Sequence, residues 1–149
     1  MPFTGRRRQV VTGWRHRTKA LIVTAGLMVA EGKVLLAQRK ENAHQGLLWE
    51  FPGGKVTEGE EPRQALRREL REELAVEVEV GALFDAVYYS YPEFPVLLLV
   101  YRCKIRKGVP QPLASRALQW VDPRELEEIP MPPADRRLQR RLCSLSETS

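Results

Sequence analysis

The segment from Glu50 to Val76, EFPGGKVTEGEEPRQALRRELREELAV, constrains this chain more than any other part of its sequence. A glycine pair and a short polar loop lead into a helical pattern with three carboxylates at positions i, i+3 and i+4 (Glu69, Glu72, Glu73). At about 100° per residue, this spacing puts the three side chains on one flank of a helix. Leucines recur every four residues on another flank and predict its buried stripe (Leu66, Leu70, Leu74).

Three like charges on one flank repel each other, and a helix with a purely structural role gains by spreading them. Because carboxylate oxygens are hard ligands, the cation expected beside them is Mg²⁺ or Mn²⁺. The alternative is an ordinary solvated face, since runs such as RRELREEL make weak i,i+4 pairs on many surface helices. Taken alone, the helix favours the solvated face, and only the residues that precede it favour a metal site.

Together with those residues, the segment resembles the Nudix box, G-x5-E-x7-R-E-U-x-E-E-x-G-U, in which U is an aliphatic residue. Gly54 opens the pattern, Glu60 follows after five residues, RELREE supplies its centre, and Val76 closes it. The one departure is Ala75, which stands where the family has glycine. Glycine at a helix end usually supplies a positive φ, so an alanine there predicts either strain or a different helix end.

The resemblance implies a hydrolase that cleaves a nucleoside diphosphate linked to another group, with a divalent metal ion (Mg²⁺ or Mn²⁺) as cofactor. The implied metal ligands are three carboxylates and one backbone carbonyl (Glu69, Glu72, Glu73, Gly53). Arg68 would brace the carboxylates by charge-assisted hydrogen bonds and completes the implied catalytic set. Glu60 would orient the loop or cap the helix, and one of the glutamates would act as the general base.

Local matches, among them WEFPGGK and MPPAD, resemble the MutT-like subgroup, whose members act on nucleoside triphosphates. Arg39 would face a phosphate or the base, and Phe51 or Tyr91 would stack on the base. Asp135 would accept a hydrogen bond from an exocyclic amine or ring N–H, as on cytosine or guanine. Core packing is the alternative for the two aromatic residues, and N-capping of the last helix is the alternative for Asp135.

A second departure concerns a glutamate that many MutT-like proteins carry six residues before the tryptophan of the last strand. Counting back from Trp120 reaches Ala114. The first hypothesis is therefore a Mg²⁺-dependent enzyme that cleaves a (deoxy)nucleoside triphosphate, such as 8-oxo-dGTP or CTP, to the monophosphate and pyrophosphate. The second is a non-catalytic nucleotide- or RNA-binding module that keeps the fold.

The element order β-β-β-α-β-β-β-β-α-α predicts an α+β fold with a mixed β-sheet and flanking helices. The resemblance likewise implies the α/β/α sandwich of the Nudix fold. Strands are predicted at residues 19–31, 34–38, 49–51, 76–80, 83–91, 95–105 and 117–121. Helices are predicted at about 61–74, from Asp122 as N-cap, and at 134–145 with three leucines inward (Leu138, Leu142, Leu145).

The 149 residues suffice for one domain, and the charge is unevenly distributed along them. Residues 1–19 hold six Lys/Arg and no acid, whereas 18 basic residues face 19 acidic residues in the remainder. We therefore expect a flexible basic arm at 1–18 and a near-neutral domain at 19–149. The arm is interpreted as a solvated tail, and a nucleic-acid contact is the alternative.

The remaining expectations concern the surroundings of the protein. Cys103 and Cys143 have neither metal nor redox spacing, so they read as reduced thiols of a cytoplasmic protein. No apolar run approaches the roughly 20 residues that cross a bilayer, which predicts no membrane association. The expected partner is the nucleoside triphosphate, and both a monomer and a homodimer are compatible with the sequence.

Overall fold

The computed structural model describes residues 19–148, with side chains as far as Leu145, and the predicted arm at 1–18 lies outside the described residues. The elements follow in this order: β1 (Leu21–Ala30), β2 (Lys33–Gln38), β3 (Trp49–Glu50), β4 (Gly53–Lys55), α1 (Pro62–Leu74), β5 (Glu77–Ser90), β6 (Pro95–Lys107), β7 (Ala117–Val121), a 3₁₀ helix (Pro123–Glu128) and α2 (Pro133–Thr148). This order confirms the predicted α+β fold with a mixed sheet and flanking helices.

Strand β1 lies at the centre of the sheet and pairs along both of its edges. It runs parallel to β6, from Leu21 opposite Val96 to Met28 opposite Cys103. Its other edge pairs antiparallel with β4 and, at its last residues, with β2. Strand β2 continues the sheet through β3 and β7, and β5 forms the far edge beside β6.

The two faces of the sheet carry separate cores because successive side chains of a strand point to opposite sides. On one face, the leucine stripe of α1 packs against strand residues of β1 and β6 (Met28, Tyr101, Cys103). On the other face, α2 packs Leu138 and Leu142 against Leu98 and Val100. Burial of each such leucine stabilises the fold by roughly 1.5–3 kcal/mol, so both helices are fastened to the sheet by apolar contact.

Two predicted strand boundaries were wrong. The strands expected at 76–80 and 83–91 form the single strand β5. Register shifts after Val80 and around Leu83 form bulges, and the pairing with β6 continues on both sides of them. The glycine pair, which lies outside every predicted strand, forms β4 against β1. A Cβ at Gly53 would overlap the Thr24 carbonyl oxygen, so the close pairing itself requires glycine.

Leu145 was predicted to face inward but is 48% exposed. Leu142 and Cys143 are both buried and define the inner face of α2 at this point. At 100° per residue, Leu145 lies only about 20° from the fully buried Leu138, so its exposure comes from its place near the end of α2 rather than from its direction. The simple i, i+4, i+7 pattern therefore extended the leucine stripe one position too far.

Two smaller predictions, the cap at Asp122 and the free thiols of the two cysteines, are confirmed. Asp122 caps the 3₁₀ helix by accepting a hydrogen bond from the Arg124 amide at 3.0 Å. Cys103 and Cys143 are buried and free, and burial raises the pKa of Cys103 to about 12. Within residues 19–148, no helix is both long and apolar enough to cross a membrane.

Candidate active site

An open cavity of about 530 Å³ lies between the sheet, the end of α1 and the beginning of α2. It brings together most of the residues singled out from the sequence. Its lining includes three of the four predicted metal ligands and all four predicted substrate-binding residues (Gly53, Glu69, Glu73, Arg39, Phe51, Tyr91, Asp135). Glu72 and Arg68 lie outside the lining, and Glu72 is exposed.

Helix α1 is set in place at its beginning by a cap and by a proline. The Glu61 side chain accepts hydrogen bonds from the amides of Arg63 and Gln64 at 3.2 and 3.3 Å. Pro62 is the first helical residue, where its missing N–H costs nothing. With the leucine stripe buried below, Glu69 and Glu73 stand one turn apart on the side that faces the cavity.

The glycine pair allows the backbone to approach the Glu69 carboxylate. A Cβ on Gly54 would overlap that carboxyl group. The Gly54 carbonyl oxygen also accepts a hydrogen bond from the Thr24 hydroxyl at 3.2 Å. Both Gly53 and Gly54 line the cavity beside Glu69, so backbone oxygens and carboxylate oxygens are brought to the same wall.

Arg68 joins three glutamates, as the bracing role requires. Its guanidinium donates to Glu60 at 2.8 and 2.9 Å, to Glu69 at 3.0 Å and to Glu72 at 3.4 Å. Hydrogen bonds from Arg68 hold the pKa of Glu60 down at about 2. Glu60 also accepts from the Thr57 amide at 3.2 Å, so it orients the loop, while helix capping belongs to Glu61.

Negative charges crowd around Glu73 at this wall of the cavity. Burial of this side chain and the negative charges of Glu69, Glu50 and Glu72 raise its pKa to about 8. The cost of ionising Glu73 falls when a cation is present among these carboxylates. The donor set consists of hard oxygens, which is the chemistry that Mg²⁺ and Mn²⁺ prefer.

The carboxylates match a divalent cation in charge and in donor type, but their side chains are not arranged around one point as metal ligands. Among the residues from 19 to 148, no three His, Cys, Asp or Glu side chains already stand around one point as metal ligands. Arg68 meanwhile draws Glu69 and Glu72 towards its own guanidinium. Binding of a metal ion would therefore require these carboxylate side chains to turn.

The same cavity carries a second group of polar residues, which includes Arg39, Glu50 and Asp135. Arg39 makes two hydrogen bonds to Glu50, at 2.9 and 3.1 Å, so its guanidinium is already partly committed. Burial raises the pKa of Glu50, and the Arg39 charge opposes this rise. Sequence reasoning missed Glu50, although a carboxylate between Trp49 and Phe51 in an otherwise apolar strand was the available signal.

Asp135 is buried at 7% exposure in the first turn of α2. Its predicted alternative role as the helix N-cap was wrong, because α2 begins at Pro133 and Asp135 is already inside the helix. Burial and the negative charge of Glu50 raise the pKa of Asp135, while a hydrogen bond from the Phe51 amide opposes the rise. A fully enclosed carboxyl group that faces a cavity is suited to recognising a ligand N–H.

Both aromatic residues that were expected to stack on the base or to pack in the core line the cavity. Phe51 is 3% exposed and belongs to the core, yet it also forms part of the cavity wall. Tyr91 is half-buried, and its hydroxyl oxygen accepts a hydrogen bond from the Ala134 amide at 3.2 Å. His44 packs edge-on against the Tyr91 ring, with the ring centroids 5.7 Å apart.

Comparison with known proteins decides the family. The sequence model of the NUDIX domain matches residues 23–141. The chain belongs to the Nudix hydrolase family. It is MutT-like, and it is therefore an enzyme that acts on acid anhydrides.

Similar proteins include the CTP pyrophosphohydrolase of Escherichia coli strain K12, 39% identical over 117 residues, which are 78% of this chain and 87% of that protein. The putative 8-oxo-dGTP diphosphatase 2 of Mycobacterium tuberculosis is 42% identical over 116 residues, 77% of this chain and 82% of the relative. The solution structure of the E. coli ORF135 protein superposes with a TM-score of 0.75 at 37% identity, covering 87% of this chain and 92% of its own.

Proposed function

We propose that this Nudix hydrolase cleaves a (deoxy)nucleoside triphosphate to the monophosphate and pyrophosphate with Mg²⁺ or Mn²⁺ as cofactor. The observation that carries the proposal is that two chemically different groups of residues line one cavity. Glu69 and Glu73 crowd one wall with negative charge, and Asp135 places a buried carboxyl group in the same cavity. The names of the similar proteins, a CTP pyrophosphohydrolase and a putative 8-oxo-dGTP diphosphatase, support the same substrate class.

In this proposal, the wall that carries Glu69 and Glu73 receives the metal ion and the phosphates. Glu69, Glu72, Glu73 and the Gly53 carbonyl would hold the cation, which neutralises phosphate charge and activates a water molecule when bound. Arg68 restrains the carboxylates from outside the cavity, since it contacts Glu69 and Glu72 but does not line the cavity wall.

The second polar group, which includes Asp135, would select the base. Because burial raises the pKa of Asp135, a protonated carboxyl group is favoured there, and this form offers one donor and one acceptor. The pairing edge of cytosine presents the complementary acceptor and amine donor, whereas an ionised Asp135 would suit the adjacent N–H donors of guanine. Phe51 or Tyr91 would support the base by stacking, and Arg39 would contact a phosphate or the base.

The test is a panel of ribo- and deoxynucleoside triphosphates, including CTP, dCTP and 8-oxo-dGTP, incubated with Mg²⁺. Release of pyrophosphate rather than phosphate is expected, and kcat/KM across the panel measures the base preference. Phosphate as the sole product would refute the proposed cleavage position.

The metal assignment is tested by Glu72→Gln, which should lower kcat by at least about 10²-fold because it removes negative charge that holds the cation. Glu125→Gln, an exposed glutamate outside the cavity, is the matched control and should retain the parental rate. A Glu72→Gln enzyme as active as this control would exclude Glu72 from the metal site.

The second candidate, a nucleotide-binding module without turnover, is favoured by one observation. Ala114 lines the cavity at the position where many MutT-like proteins carry a glutamate, so a methyl group stands where a further carboxylate is expected. Tight nucleotide binding by equilibrium dialysis, with no hydrolysis of any nucleotide in Mg²⁺ or Mn²⁺, would establish this candidate instead.

A further inference from the structure

The loop at residues 108–116, which connects β6 to β7, contacts the end of α1 through its backbone. The Gln111 amide donates a hydrogen bond to the Leu74 carbonyl at 3.0 Å, and the Leu113 amide donates to the Glu73 carbonyl at 3.1 Å. These carbonyls belong to the last turn of α1, whose carbonyl groups lack partners within the helix. We call residues 108–116 the strap.

The strap sequence is suited to this contact. Pro110 and Pro112 have no N–H and restrict their own φ, so residues 110–113 offer only two backbone donors. Both donors contact the helix end, and the Leu113 amide is shared with the Gln111 carbonyl, to which it donates at 2.9 Å. The Leu113 side chain is 55% exposed and takes no part in the cavity wall, so the contribution of this residue is made by its backbone amide.

The strap is fastened at both of its ends. At its beginning, Gly108 has φ 91° and passes so close to the helix end that a Cβ would lie 2.6 Å from the Ala75 carbonyl oxygen. At its end, the Arg116 amide donates to the Gln38 carbonyl at 2.9 Å. Between these attachments, Ala114 and Ser115 form part of the cavity wall.

The last turn of α1 carries two of the proposed metal ligands, Glu72 and Glu73. Helix ends fray when their carbonyl groups have no partners. Here the turn is closed by Ala75 in the left-handed conformation, with φ 59° and ψ 37°, which an alanine adopts only at a cost. The turn that holds these ligands therefore depends on partners from outside the helix.

We propose that Gln111 and Leu113 are positioning residues, whose backbone amides hold the last turn of α1 so that Glu72 and Glu73 are presented for metal binding. The inference rests on the proposed function in one respect, the assignment of these two glutamates as metal ligands. A merely structural role would lower thermal stability alone, whereas a positioning role also weakens metal affinity.

The decisive comparison is Leu113→Pro, which deletes the amide, against Leu113→Ala, which keeps the amide and shortens the exposed side chain. Gln111→Pro and Gln111→Ala form a second matched pair. Relative to its alanine partner, each proline variant should bind Mn²⁺ at least about tenfold more weakly in the absence of nucleotide, because outer contacts of metal ligands typically carry effects of this size. Its kcat should fall while the nucleotide KM remains within about twofold, since the residues proposed to select the base are untouched.

Equal Mn²⁺ affinity in the proline and alanine variants, with the fold intact by circular dichroism, would overturn the proposal. If the proline variants do not fold, hydrogen exchange of the parent protein decides the question. The Gln111 and Leu113 amides should exchange as slowly as the amides of the last turn of α1. Exchange at the rate of an unprotected loop would refute the positioning role of the strap.

These outcomes are separable from failure of the proposed function. A parent protein that hydrolyses no nucleotide fails the function, yet Mn²⁺ binding and hydrogen exchange still test the strap. A parent protein that binds no Mn²⁺ removes the metal assignment, and the positioning role for metal binding falls with it.

Discussion

Replacement of Ala75 by glycine should stabilise the protein, because the alanine closes α1 in the left-handed region at φ 59° and ψ 37°. That conformation costs a residue with a Cβ about 1–2 kcal/mol, and glycine adopts it freely. Glycine also lowers the free energy of unfolding by about 0.4–1 kcal/mol, because it increases the conformational entropy of the unfolded chain. Ala75 is exposed, so almost no packing is lost, and the net gain should be about 0.5–1 kcal/mol.

The assay is thermal unfolding of the metal-free protein, combined with urea titration. A gain of this size should raise Tm by about 1–4 °C in a chain of this length. Ala82→Gly is the matched control, since Ala82 is also exposed but lies in β5 and does not have a positive φ. The control should be destabilised. A Tm for Ala75→Gly equal to or below that of the parent would show that the strap and its contacts have already removed the strain.

Three further results are expected. Because the pKa of Glu73 is raised to about 8, the metal-free protein should lose stability as pH rises from about 5 towards 9. Glu73→Gln should flatten this slope of Tm against pH. A slope that the substitution leaves unchanged would refute the raised pKa of Glu73. Arg68→Lys, which cannot reproduce the forked contacts, should weaken Mn²⁺ binding about tenfold; calorimetric affinity equal to the parental value would show that Arg68 is not a brace. Cys103 should resist a thiol reagent until the protein unfolds, since burial raises its pKa to about 12; rapid labelling of the native protein would contradict its buried position.

The part of the site that could be predicted from sequence is the part built within one helix. The spacing of Glu69, Glu72 and Glu73, and the position of Arg68 one turn from Glu72, follow from helical geometry alone. The location of Asp135 beside the same cavity required the resemblance, because α2 and α1 pack on different faces of the sheet. Neither the sheet register nor the cavity is encoded in any local pattern.

The contacts that escaped prediction are made by backbone groups or by burial. A carbonyl at the end of α1 and an amide of Leu113 leave no trace in side-chain patterns, so the sequence did not predict the contact of the strap with α1. The continuity of β5 was hidden because its bulges interrupt the alternation of apolar residues. The importance of Glu50 was hidden because its pKa depends on burial that only the assembled fold creates.

The central position of β1 has a consequence for the order in which the protein folds. Strands β5 and β6 are neighbours in the chain and close through the short connection at residues 91–94. The parallel pairing of β1 with β6, by contrast, joins Leu21 to Val96 across much of the sequence. Pairings between distant segments carry a larger loop-closure entropy and slow the folding of a chain.

Because β1 also carries β4, the glycine pair reaches its place beside Glu69 only when β1 has docked. The hairpin of β5 and β6 can form before β4 has reached its place beside the carboxylates of α1. We therefore expect ligand binding to return late during refolding, after most of the secondary structure has formed. In this chain, recovery of the site is a kinetic marker for closure of the whole sheet.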